Sequence, residues 1–187
     1  MEINELFNKL QPLCKAIYLG GSRVNKYIKH PHDYDYILFV DNDEDKRQLM
    51  IKIGHIFHLR CGININGLDD YMNIRIINEE EHSYGSYINK LQKKLVGEDV
   101  EFIFDVIDKN REEYINILLK TINKFENRKI KPTKRWYQIL NGIFILKNNS
   151  YELTKEQIEI INDVHDVVEG WEKHLSIIKE FKEEWGN

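Results

Sequence analysis

The stretch YILFV, Tyr36 to Val40, is uncharged and aromatic or branched at every position. It reads as a strand entering a core. The residues just ahead of it fit that role poorly. The strand opens Asp33-Tyr34-Asp35, and side chains two apart on a strand leave by the same side. Two carboxylates would therefore stand together at the mouth of a core and repel each other unless something positive lies between them. The chain is thus tied to an apolar strand that enters a core behind an acidic head in need of a positive partner.

Upstream, separated from Asp33 by the nine residues Val24 to His32, stands LGGSR, Leu19 to Arg23. Gly20 and Gly21 suit a turn in which backbone comes close to a ligand. Ser22 is a good N-cap, so SRVNKYI is expected to open a helix whose free N–H groups attract anions, phosphate above all. Arg23 could assist there. A hard divalent cation with oxygen ligands would relieve the Asp33–Asp35 repulsion, and Mg2+ (or Mn2+ in its place) is commonly held by carboxylates together with substrate phosphates. Two such ions usually need a further acid from another strand. The second apolar run, DVEFIFDVI, offers Glu101 near its start and Asp105 near its end.

The glycine-serine turn, the Asp-x-Asp head and the apolar strand together resemble the nucleotidyltransferase motif of the DNA polymerase beta superfamily, in the form of its small prokaryotic and phage members. YLGGSR followed by HDYDYILFV carries the likeness, with Gly21, Ser22, Asp33 and Asp35 at the motif positions. VEFIFDVI is similar to the third-acid strand of the oligoadenylate-synthetase branch, which implies Glu101. The pattern of the minimal prokaryotic members implies Asp105 instead. The likeness runs from about Ile17 to Val106, and the helical tail from Lys134 resembles that of some phage and bacterial members, with Lys134 in the place of a nucleotide-binding lysine. It implies an α/β fold, a small mixed sheet flanked by helices, with a core over 1–126 and a C-terminal helical region over 127–187. It also implies transfer of a nucleoside monophosphate from an NTP to an acceptor hydroxyl on RNA, protein or a small molecule, with Mg2+ and release of pyrophosphate. A catalytically inactive nucleotide-sensing module and a metal-dependent phosphohydrolase are the alternatives.

Elsewhere the patterning is ordinary. Residues 2–15 read as an amphipathic helix ended by Pro12. DNDEDKRQLMIKIGHIFHL is a capped helix, and CGININ and YMNIRIIN are strands joined by the turn-rich GLDD. SYGSYINKLQKKL is expected to be helix up to Gly97. Asn110 with Glu113, and Thr154 with Gln157, have capping-box spacing. Beyond the basic connector NRKIKPTKR everything reads as helix, divided near Gly170.

His55, His58 and Cys61 are spaced as a zinc site might be, but they flank core-type Ile56 and Phe57 and lack an obvious fourth ligand. His30 and His32 read as solvated loop residues, Asp69-Asp70 as turn formers, and Trp136, Trp171 and Trp185 as helix-packing aromatics. Hydrophobic residues make up 42%, charged residues 31%, and the net charge is -4. That is an ordinary globular composition and argues against a generally basic nucleic-acid coat protein. The two cysteines make no disulfide framework, no signal sequence or membrane span is expected, and a cytoplasmic setting is the simplest expectation. The oligomeric state is not readable from the sequence.

Overall fold

A computed structural model describes residues 3–31, 34–57, 64–68, 70–78, 92–100, 106–109, 111–127, 135–166 and 174–186. The chain is mixed α/β and divides into two units. The first holds residues 1–25, 31–82 and 91–101, and the second holds 26–30, 83–90 and 102–187.

The first unit is built on a five-stranded sheet of order β3-β4-β2-β1-β5. These strands are β1 (Ala16–Gly20), β2 (Tyr34–Val40), β3 (Asn64–Leu68), β4 (Asp70–Asn78) and β5 (Lys93–Gly97). β2 pairs antiparallel with β1 and parallel with β4. The parallel pairing needs a crossover, which α2 (Asp43–Phe57) and the β3–β4 hairpin supply. Asn42 starts α2: its Oδ1 accepts from the Asp45 N–H at 2.9 Å while its amide donates back to the Asp45 carboxylate at 2.8 Å. α1 (Ile3–Leu10) passes into a single 3-10 turn at Gln11–Leu13, where Pro12 closes off the α-helix.

One face of the sheet forms the core of this unit. Tyr36, Leu38 and Val40 of β2 cluster with Ile17, Ile74 and Ile76 of the adjacent strands and with Leu10, Leu49 and Ile53 of the helices. β2 is central, so its odd positions are buried too: Ile37 and Phe39 lie on the opposite face, with Phe39 edge-on to Tyr18.

Two expectations are corrected here. No α-helix begins at Ser22; Gly21–Arg23 is one 3-10 turn, followed by turns and bends. The backbone groups that would extend a helix are used otherwise, since Asn162 accepts from the Lys29 N–H at 2.9 Å and donates to the Tyr27 carbonyl at 2.7 Å. The end of the helix expected through Gly97 is instead β5, which pairs with the open edge of β1. The strand expected over 99–107 falls mostly outside the described residues; Asp99 and Val100 lie in no element, and Val106–Lys109 is a turn.

The second unit contains α3 (Arg111–Asn127), α4 (Arg135–Asn148), α5 (Lys155–Asp166) and α6 (Leu175–Trp185). α4 is buried almost all round, from Trp136 and Tyr137 through Leu146, as a helix surrounded by its neighbours must be. Residues 26–30 belong to this unit. Tyr27 donates its hydroxyl proton to Glu152 at 2.7 Å and accepts from the Leu153 N–H at 3.2 Å, and Lys26 pairs with Glu152.

The predicted capping box at α5 is present: Thr154 Oγ1 accepts from the Gln157 N–H at 3.2 Å and Gln157 Oε1 accepts from the Thr154 N–H at 2.9 Å. Thr154→Ala is expected to lower stability by about 1 kcal/mol, measured as a shift of the urea midpoint at constant slope. Among the described residues no helix is long and apolar enough to cross a membrane.

Candidate active site

The antiparallel register sets Gly20 directly opposite Asp35. Directly opposed residues share a face, so Asp35 projects on the side of Gly20 and Tyr18, away from the Tyr36–Leu38 core. Gly21 has φ 69°, a left-handed conformation that lets the chain bend sharply at the end of β1. A Cβ on Gly21 would overlap Oδ2 of Asp35 and stand 2.9 Å from its Cγ. The half-buried Asp35 carboxylate therefore lies directly on the glycine bend, in the space that the missing side chain leaves.

Ser22 is buried within the 3-10 turn at 5% exposure. Arg23 turns the other way. Its guanidinium lies 3.8 Å over the ring of Tyr34, which is stacked on Tyr36. Tyr34 and Tyr36 occupy the core-side face of β2, so the structure brings Arg23 to that face and not to Asp35. Burial of Tyr36, reinforced by Tyr34 and opposed by Arg23, pushes its phenol up to about 12.

On the far side of Gly20 stands a residue that the sequence did not single out. A Cβ on Gly20 would overlap Oε1 of Gln92 and stand 3.3 Å from its Cδ. Gly20 has φ −124°, which any residue adopts, so here close approach and not conformation favours glycine. The pairing of Leu19 with Lys93 sets Gln92 beside Gly20. Only this long-range register identifies Gln92; the local string LQKKLVG gives no hint.

Val100 N–H donates to the Tyr18 hydroxyl at 3.1 Å. Tyr18 shares the face of Gly20 and Asp35, so the chain immediately ahead of Glu101 is tied to that face. Asp33, Glu101, Asp105 and Lys134 lie outside the described residues, as do His32, His58, Cys61 and Asp69. Of the other residues weighed, His30 is exposed in a bend and Trp136 is core. Among the described residues no group of three or more acids, histidines or cysteines is placed to hold a metal ion.

The described part of the site is thus a glycine bend between a carboxylate from β2 and the Gln92 carboxamide just ahead of β5. A carboxylate oxygen at such a bend suits a hard cation. Comparison of the chain with family models, with curated proteins and with solved structures finds no match.

Proposed function

We propose that the protein is a nucleotidyltransferase that moves a nucleoside monophosphate from an NTP to an acceptor hydroxyl. The observation that carries this reading is the seating of the Asp35 carboxylate on the Gly20–Gly21 bend. The mixed sheet, with its acid-headed central strand antiparallel to the strand that enters the bend, supports the nucleotidyltransferase fold.

In this reading the Gly20–Gly21–Ser22 turn receives the triphosphate tail, because backbone N–H groups of a tight turn favour anions. Asp33 and Asp35, with Glu101 or Asp105 as the third acid, are the residues that would hold Mg2+. The tie between Val100 and Tyr18 favours Glu101, since it anchors that segment on the Asp35 side. Magnesium bound there would supply charge neutralisation for the departing pyrophosphate and acidify the acceptor hydroxyl. The acceptor oxygen bonds to the α-phosphorus, the bond to the β-phosphate oxygen breaks, and the hydroxyl proton leaves to solvent. Asp35 must remain ionised throughout, and its role is to orient rather than to exchange protons. Arg23, stacked on Tyr34, buttresses the base of the turn.

The experiment is incubation of the full chain with Mg2+ and each labelled NTP, with and without cell extract. Label on an acceptor together with pyrophosphate is the expected result. Release of inorganic phosphate would point to a hydrolase instead, and thermal stabilisation by NTP without turnover would point to a sensor.

A further inference from the structure

β5 is an edge strand. β1 pairs with one side of it, and among the described residues no strand pairs with the other. An open edge presents a row of N–H and C=O groups on which a further strand can form. Lys93, Lys94, Leu95 and Gly97 are exposed along it. Leu95 is one of the few large apolar side chains left in solvent, at 37% exposure. The register against β1 passes from Ile17–Val96 to Tyr18–Lys94, so Leu95 has no partner on β1. The chain then continues directly into Glu98 and Asp99, both exposed.

Lysines on an edge strand ordinarily deter pairing, because a like strand sets charge on charge. Here the order of the charges changes the outcome. From Lys93 to Asp99 the chain reads two cations, then Leu95-Val96-Gly97, then two anions. The string is complementary to its own reverse about Val96. A second copy laid antiparallel, with Val96 on the two-fold axis, sets Lys94 opposite the partner's Glu98 and Lys93 opposite the partner's Asp99, and the axis repeats both pairs. Leu95 then lies opposite the partner's Gly97, which has no side chain to obstruct it. A parallel copy in register would set lysine on lysine and acid on acid. Lys94 already pairs with Asp99 of its own chain, but so exposed a pair is easily exchanged for another. Lys93 and Glu98 make no ion pair among the described residues.

We propose that the open edge of β5 is a self-association surface, on which a second copy of this chain pairs antiparallel and joins the two sheets into one. The contact of a single short strand is small beside a standard interface, so the dimer is reversible and dissociates on dilution.

The test is sedimentation velocity of the full chain from about 1 µM to about 1 mM. The wild type is expected to pass from monomer to dimer within that range, and to do so less readily at about 1 M salt, where exposed charges are screened. Lys93→Glu with Lys94→Glu makes the edge wholly acidic, and Glu98→Lys with Asp99→Lys makes it wholly basic. Each double variant is expected to self-associate at least about tenfold more weakly than the wild type, while an equal mixture of the two restores the dimer. Mixing cannot repair damage to the fold, so this rescue separates pairing of charges from a structural effect. The matched single variants Lys93→Glu and Asp99→Lys repeat the mixture if either double variant melts early. A wild type that stays monomeric throughout overturns the proposal, and slow amide exchange along β5 in that monomer would assign the edge to another segment of the same chain. Reversed variants that each dimerise like the wild type place the interface elsewhere and overturn it too.

Discussion

Asp35→Asn is expected to lower nucleotidyl transfer on the order of a thousandfold or more, with the melting temperature of the variant close to that of the wild type. The change is isosteric and replaces a metal-binding oxygen by an amide that donates hydrogen bonds toward the very site where a cation should sit. The fold tolerates it for two reasons. The carboxylate is only half-buried, and it faces the glycine bend rather than the Tyr36–Leu38 core. Asp33→Asn should behave alike. Initial rates with labelled NTP, set beside a thermal melt of each variant, decide the matter: transfer at the wild-type rate by well-folded Asp35→Asn would remove the carboxylate from the mechanism.

The second large effect is on stability. Gly97→Ala should cost about 3 kcal/mol or more, clearly exceeding the roughly 1–2 kcal/mol expected for Gly21→Ala. Both glycines have positive φ, 95° and 69°, so both substitutions strain the backbone. What surrounds them differs. A Cβ at Gly97 would overlap the Lys15 carbonyl oxygen and stand 2.7 Å from the Ala16 Cα. Those are backbone atoms of Lys15 and of the first residue of β1, fixed by the Ala16–Gly97 pairing and by the Glu98 N–H donated to the Lys15 carbonyl at 3.0 Å. They cannot step aside without opening the β1–β5 ladder. At Gly21 the obstacle is the Asp35 carboxylate, which can rotate away. Gly21→Ala should therefore fold, and lose transfer activity because its carboxylate is displaced. Urea unfolding of the two variants measures the difference, and equal costs would contradict the distinction between a backbone obstacle and a side-chain one.

Much of the local structure was legible from short-range patterns. Of the turn expected at GLDD, Gly67, Leu68 and Asp70 are strand residues of β3 and β4, but YILFV became the central strand of the sheet, Asn42 capped α2, and Thr154 with Gln157 made their reciprocal cap. Each depends on residues within a few positions of one another. The strand period also foretold that Asp35 would leave β2 on the side away from Tyr36, and the alternation of the buried core agrees. Ser22 misled because its N-cap chemistry is local, while the backbone that would have continued a helix is held by Asn162, far along the chain. KKLVG misled for a similar reason. Its residues have no strong preference of their own, and the unpaired edge of β1 made them a strand.

The sequence by itself determined which side of its strand Asp35 takes, that the chain bends at its glycine pair, and that a sheet with helices would form, because side-chain alternation and turn chemistry operate over two to four residues. Tertiary structure alone decided that Asp35 rests on Gly21, that Arg23 lies over Tyr34 on the opposite face, and that Gln92 meets Gly20. Those contacts join segments distant in sequence, and they exist only once the register of β1 against β2 and β5 is set. That register is chosen by burial of whole faces, a sum over many residues that no local motif contains.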